Sequence, residues 1–456
     1  MLDYIKSNRI ALLIAVLGTA LYLGFAYDLV RSDFIKLISL YGALFFLTYK
    51  LIQLYKGNFW LLASIGIAFR LAFIAAIPNL SQDFYRFLWD GRMLIQGINP
   101  YLFTPDYLLN DPTATLKFSM PQAQELFNGM GNLNASHFSN YPPINQLFFA
   151  IAGLFAGKSI LGSLVILRVI MIVADLGILY LGTKLLEKLY LPVSNIFWYF
   201  LNPFVIIELT GNLHFEGVML FFVIWSLYLL HRGRWVWAAL LLAVSVGVKL
   251  IPLLFLPLFF QYFRQEKSLG QGFWLFTKFC LMVLGVVLVV FAPFLSNEFI
   301  LNFTNTVNLW FQNFEFNASI YNIVKWIGFE YYDTNLIKPY GSISPFLVIA
   351  AIVTLTFFRK NRTTKELITA MLFGIAIYFL VATTVHPWYV CTPILLSVFT
   401  RYTFPIVWSA AVILSYSAYG VNGFSEKLGF VALEYTVVIG FAVWEVLKRR
   451  TEPTFS

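Results

Sequence analysis

The chain has 456 residues, of which 60% are hydrophobic and 12% charged, with a formal net charge of +9 and a mean hydropathy of +0.77. A soluble domain carries about 25% charged residues, so this composition excludes a soluble globular protein and indicates a polytopic membrane protein. The basic excess falls in small clusters between apolar runs and not along one stripe, which argues against nucleic acid as a partner and leaves membrane orientation as its use.

A membrane span takes about 20 apolar residues. Apolar runs begin near Ile10, Phe34, Phe59, Ile160, Val193, Gly217, Trp235, Pro252, Phe273, Ser344, Leu367, Pro387, Phe404 and Gly429. They predict an all-α bundle of about 12–14 transmembrane helices, one domain over residues 1–456. No Ala-x-Ala-like cleavage site follows the first run, Ile10 to Leu29, so it reads as a retained anchor and not as a signal peptide.

Lysine and arginine should accumulate in alternate short loops. One set holds Lys6 with Arg9, Lys50 with Lys56, Lys184 with Lys188, Arg232 with Arg234, Arg264 with Lys267, "RKNRTTK" and "LKRR", and defines the cytoplasmic side. The other set holds a long insertion over 79–159, "TGNLHFEG", the turn at Lys249, a second insertion over 297–340 and "TTVHPWYV". These are expected to face outward together. This register needs Pro142 to Gly157 to lie along the outer interface, and the short spans around Lys249 could form a re-entrant pair. Cys280 and Cys391 both sit in apolar runs and are expected to pack as small hydrophobes.

Within the first insertion, "SQDFYRFLWDGRMLIQGINPY" predicts a helix with Ser81 as N-cap and Gly97 as C-terminal cap, closed by Asn99-Pro100. At 100° per residue Asp83, Arg86 and Asp90 share a face, and Arg92 points away. Two readings are open. One is an interfacial helix with an ion-pair ladder, each pair contributing about 0.2–0.5 kcal/mol. In the other, Asp83 in the first turn accepts a proton from a sugar hydroxyl while Arg86 or Arg92 grips a phosphate.

Further along, "NPFVIIELTGNLHFEG" brings Glu208, Asn212, His214 and Glu216 to an outward helix end. His214 with Glu216 could be half of a metal site, but no HxxxH or paired-carboxylate motif supports it. Lys249 in "VKLIPLLFLP" either snorkels or binds an anion. Arg168 and Asp175, seven residues apart on one face, are expected to form structural ion pairs. "ATTVHPWYV" places His386, Trp388 and Tyr389 at a span boundary, as an aromatic belt or as a surface that stacks on sugar. "FQNFEFNASIYN" adds Asn313, Glu315, Asn317 and Tyr321; its Asn317-Ala-Ser319 sequon has meaning only in a eukaryotic secretory route. The simplest unifying expectation is one outward-facing pocket.

"DFYRFLWDGR" with "GINPY", then "YPP", "NPFVIIE", "GNLHFEG", "VKLIPLLFLP", "FEFNASIY" and "HPWYV", in that order, resembles the bacterial polyprenyl-phosphate-mannose-dependent mannosyltransferases of the membrane-embedded GT-C superfamily. The resemblance runs from about Phe59 to Thr400. It implies a polyprenyl-phosphate sugar donor, a glycan or lipid acceptor arriving from the outer side of a bacterial inner membrane, inversion at the anomeric carbon, and a catalytic Asp in the first large outer loop. That position maps best onto Asp83, then Asp90. Arg86, Arg92, Lys249 and His386 are the expected donor-phosphate ligands. Tyr141, Asn212, His214, Glu216, Asn317, Tyr321, Trp388 and Tyr389 are the expected substrate contacts. The chain departs from the simplest layout of the family in placing two spans ahead of the one that delivers the catalytic loop. It also lacks a DxD or DD motif at Asp83, so no metal or other cofactor is expected. The rivals are a transporter or lipid-linked-sugar flippase, which should carry charges near mid-bilayer and paired inverted halves, and a transferase of the same architecture using another lipid-linked sugar.

Overall fold

A computed structural model describes residues 8–111, 119–265 and 267–451; Lys6 and the tail after Thr451 lie outside them. The described chain is helical almost throughout, with one two-stranded hairpin, Tyr419–Gly420 against Gly423–Phe424. Among the described residues seven helices are long and apolar enough to cross a membrane: Arg9–Asp28, Phe34–Tyr55, Ile160–Lys188, Leu269–Phe294, Ile337–Phe358, Thr364–Val381 and Leu428–Lys448. Val193–Phe200 and Pro203–Gly211 form a pair bent by 48° that makes an eighth. The protein is therefore an all-α polytopic membrane protein.

Several runs expected to be full spans are shorter apolar helices: Phe59–Leu71, Glu216–His231, Trp235–Val248, Ile251–Arg264 and Phe404–Ala418. The expectation of 12–14 helices therefore holds for apolar segments but not for full-length spans. Burial explains how short segments are tolerated. Glu216–His231 and Trp235–Val248 pack on each other with most of their facing residues buried, and non-helical turns are stable at depth where protein, not lipid, surrounds them. Prolines set the rest: Pro252 and Pro257 hold Ile251–Phe259 in tighter 3-10 turns.

Contacts between loops sort them into two ends. Leu80 N–H donates to Asn212 Oδ1 (3.1 Å), Lys249 pairs with Glu216, His214 stacks on Trp388, and Phe316 pairs with the 383–385 segment. All of these belong to segments expected to face outward. At the other end His231 Nδ1 meets Thr364 Oγ1 at 2.9 Å and Gln261 Nε2 donates to the Arg359 carbonyl at 2.7 Å. The alternation of basic loops and the packing of the chain give the same register.

Two core features position the site. Helix Asp83–Ile95 lies against Pro143–Ala156 so closely that a Cβ on Gly91 would fall 2.1 Å from the Phe149 carbonyl oxygen; only glycine admits this approach. Beneath it, Asp175 forms an ion pair, but with Arg70 (2.8 Å) and not with Arg168, and also accepts from Tyr199 Oη (3.2 Å). Seven residues span about 10 Å of helix rise, too far for Arg168 and Asp175 to touch. Arg168 instead donates to the carbonyls of Ile74 (2.9 Å), Thr210 (2.9 Å) and Gly211 (3.2 Å), filling acceptors that the broken helix Pro203–Gly211 leaves open. Cys391 is buried, Cys280 half-buried, and both are free thiols.

Candidate active site

The sequence "SQDFYR" starts its helix at Asp83. Gln82, not Ser81, is the N-cap residue; Ser81 Oγ instead accepts from the Asp83 N–H at 3.3 Å. Gly97 closes the helix at φ +76°, a conformation that suits glycine.

Asp83 lines a cavity of about 250 Å³ together with Tyr141, Lys249, His386, Trp388 and Tyr389. Six residues expected to belong to one site are thus assembled from four segments far apart in sequence. Asn140, Tyr378, Thr383 and Thr384 complete the polar wall; no charge or spacing in the sequence singled them out. The segment carrying His386 is docked by a parallel bridge: Phe316 N–H donates to the Thr383 carbonyl (3.1 Å) and Val385 N–H to the Phe316 carbonyl (2.8 Å). Tyr141 is held through its carbonyl, which accepts from Tyr101 Oη at 2.6 Å.

Lys249 leaves helix Trp235–Val248 in extended backbone. Its ammonium group pairs with buried Glu216 and lies 5.6 Å from the Tyr389 ring centroid. His386 and His214 both stack on Trp388, at 4.5 Å and 3.6 Å between centroids. Burial first, then the charge of Lys249, lowers His386 to about 3, and the same causes hold His214 well below the usual imidazole range. Both rings are neutral at physiological pH, and His386 lines the cavity with Lys249, where a neutral imidazole can stack or hydrogen-bond but adds no charge. Asp83 moves the other way: burial raises it to about 6, against the opposing pull of Lys249. A carboxyl poised there is ionised at neutral pH and basic enough to take a proton.

The remaining expected residues lie elsewhere. Asp90 is buried and accepts from Arg86 Nε (2.7 Å), Ser139 Oγ (2.6 Å) and Gln146 Nε2 (2.9 Å). Arg86 also donates to the carbonyls of Asn134 (2.9 Å) and His137 (2.8 Å). Arg92 donates to the Pro121 carbonyl (2.5 Å) and Gln122 Oε1 (3.2 Å). None of the three lines the cavity; they tie the insertion together. Asn212 clamps Leu80 and donates to Glu208 Oε2 (3.4 Å). Asn317 is fully buried at φ +48°, its backbone N–H bound by Glu426 and its carbonyl by Tyr435, so its amide is sealed off from any modifying enzyme. Tyr321 Oη lies 2.5 Å from Glu315 Oε2 and 2.8 Å from Asn335 Oδ1, sharing its one proton between them, in a separate cluster.

A second, larger cavity of about 710 Å³ adjoins the first and shares Leu250, Ile251, Tyr378 and Ala382 with it. Its walls are mostly apolar, among them Leu254, Val348 and Ile349, and Phe346 at its rim is 70% exposed on the outer surface of helix Ile337–Phe358.

The fold and the cavity pair define a polytopic membrane protein with a polar pocket at one end of its bundle and an apolar groove beside it. Residues 34–263 match the family model described as "Alpha-(1->6)-mannopyranosyltransferase, N-terminal domain", and the chain belongs to that family. It is also 21% identical over 338 residues to Alpha-(1->6)-mannopyranosyltransferase A of Mycobacterium tuberculosis, covering 70% of this chain and 61% of that protein. The chain thus spans about three fifths of the length of this curated relative. Asp83, Tyr141, His214, Glu216 and Lys249 fall within the matched stretch; His386, Trp388 and Tyr389 follow it.

Proposed function

We propose that the protein transfers a mannosyl residue from a polyprenyl-phosphate donor to a hydroxyl of a glycan or lipid acceptor, on the outer face of a bacterial inner membrane and with inversion. The observation that carries this reading is that Asp83 and Lys249 line one cavity whose neighbour is an apolar groove. A lipid-linked anionic sugar needs these three features side by side. Family membership supports the sugar and the reaction class.

The Asp83 carboxylate takes the proton of the acceptor hydroxyl. The acceptor oxygen attacks the anomeric carbon from the face opposite the phosphate, the bond from carbon to phosphate oxygen breaks, and the electron pair leaves on polyprenyl phosphate. Lys249 meets the departing anion where water is scarce and a fixed charge is strongest. Trp388 and Tyr389 offer ring faces for the sugar. The prenyl chain lies in the groove, where each buried methylene contributes about 0.8 kcal/mol. The cation that meets the phosphate is a side chain, Lys249, so transfer is expected to persist in EDTA.

The intramembrane charges Arg70, Arg168 and Asp175 are closed by one another, by Tyr199 and by backbone carbonyls and line neither cavity, whereas Asp83 and Lys249 open onto the cavity at one end of the bundle; this favours the reading over a transporter with its site near mid-bilayer. The test is incubation of the purified protein with a panel of polyprenyl-phosphate sugars. Turnover of the mannose donor supports the proposal, turnover of another sugar alone changes the donor, and translocation in proteoliposomes without turnover overturns it.

A further inference from the structure

Helix Arg9–Asp28 precedes the stretch matched by the family model, and the turn after it carries a cation that reaches the neighbourhood of the site. Arg31 Nη1 donates to the Leu80 carbonyl at 3.0 Å, and its guanidinium lies 4.0 Å over the ring of Tyr419 in the C-terminal hairpin. The segment it grips is fixed from two further directions. Asn79 Nδ2 donates to the carbonyls of Phe25 (2.7 Å) and Leu29 (3.0 Å) at the end of helix Arg9–Asp28, and Leu80 N–H donates to Asn212. Leu80 stands three residues before Asp83, at the start of the turn that sets where the helix begins.

The charged and titratable groups around Asp83 are Lys249, Glu216 and Arg31, with Tyr141, Tyr389, Tyr419 and His386. His386 is neutral at physiological pH, and Lys249 is the cation that would face a donor phosphate. Once a phosphate engages Lys249, its charge no longer favours an ionised Asp83, and the phosphate itself opposes one. Arg31 does not line the cavity and keeps its charge free of that exchange.

We propose that Arg31 is a positioning residue for Asp83: its clamp on Leu80 and its stacking on Tyr419 hold a fixed positive charge beside the carboxylate while donor phosphate occupies Lys249. The inference rests on Asp83 being the general base. It also gives helix Arg9–Asp28 a task beyond packing, because it leads into this turn.

The test compares the pH dependence of kcat for mannosyl transfer in wild type, Arg31→Gln and Arg31→Lys, with size-exclusion profile and melting temperature as controls for folding. Arg31→Gln is expected to move the acid limb up by about one pH unit, so that the rate on that limb falls about tenfold and recovers at alkaline pH; Arg31→Lys restores the limb. In an Asp83→Asn background the Arg31→Gln change should leave the pH dependence of the residual rate unaltered. An acid limb that stays in place in folded Arg31→Gln, with Asp83→Asn reduced to its residual rate, overturns this inference alone. Full activity of Asp83→Asn overturns the assignment of the base on which it rests.

Discussion

Asp83 and Asp90 sit seven residues apart on one helix, within about 20° of each other around its axis and about 10 Å apart along it. Their surroundings differ completely. Asp90 is buried and meets a guanidinium, a hydroxyl and a carboxamide, so its lone pairs are committed. Asp83 opens onto a cavity, and its carboxylate accepts no hydrogen bond from the side chains of the described residues. A carboxylate surrounded by donors is a brace, whereas one raised to about 6 beside an empty space can take a proton. The same charge on the same face of the same helix therefore serves two ends, and what separates them is the insertion folding over the second turn and leaving the first uncovered.

Substitutions can break this contrast. Asp83→Asn is expected to cost about 10²–10⁴-fold in transfer rate with melting temperature and yield close to wild type. Lys249→Met removes the cation that meets the leaving phosphate and should lower kcat by about 10²–10³-fold. Asp90→Asn should act on stability instead: it strands the buried Arg86 guanidinium, at a cost of about 3–5 kcal/mol, read as a lower melting temperature, while the molecules that remain folded keep specific activity near wild type. Gly91→Ala is expected to cost about 1–3 kcal/mol, because the methyl group meets the Phe149 backbone; a smaller loss of thermal stability in detergent than for Asp90→Asn would sharpen the ranking.

Much of the site was legible in the sequence for a physical reason. Polar side chains at the ends of apolar runs are costly unless used, and the alternation of basic loops sorts those ends into two sides. That logic placed Asp83, Lys249, His386, Trp388 and Tyr389 on one side, and the family resemblance added Tyr141. It failed where the partner was backbone: Arg92 reads as a phosphate ligand and Arg168 as a partner of Asp175, but both donate to carbonyls of a loop and a broken helix, whose positions no residue pattern reveals; Arg86 pairs with Asp90 as the ion-pair reading has it, and adds two loop carbonyls. It also failed at long range. Asp175 takes its cation from Arg70, 105 residues away, and no spacing in the sequence singles out Arg31, which the fold lays against Leu80 and Tyr419. The number of apolar segments was readable, but the depth at which each one stops was not, because burial by neighbouring helices sets it.

The most direct test of the central claim is the pH dependence of kcat/KM for mannosyl transfer in wild type and in Asp83→Asn. Because the group is raised to about 6, the base is ionised above that pH and protonated below it. Wild-type kcat/KM should therefore hold steady above about pH 6 and fall tenfold per unit below it, and the residual rate of Asp83→Asn should show no such limb. An acid limb that persists unchanged in Asp83→Asn would contradict the account, since the proton acceptor would then be another group.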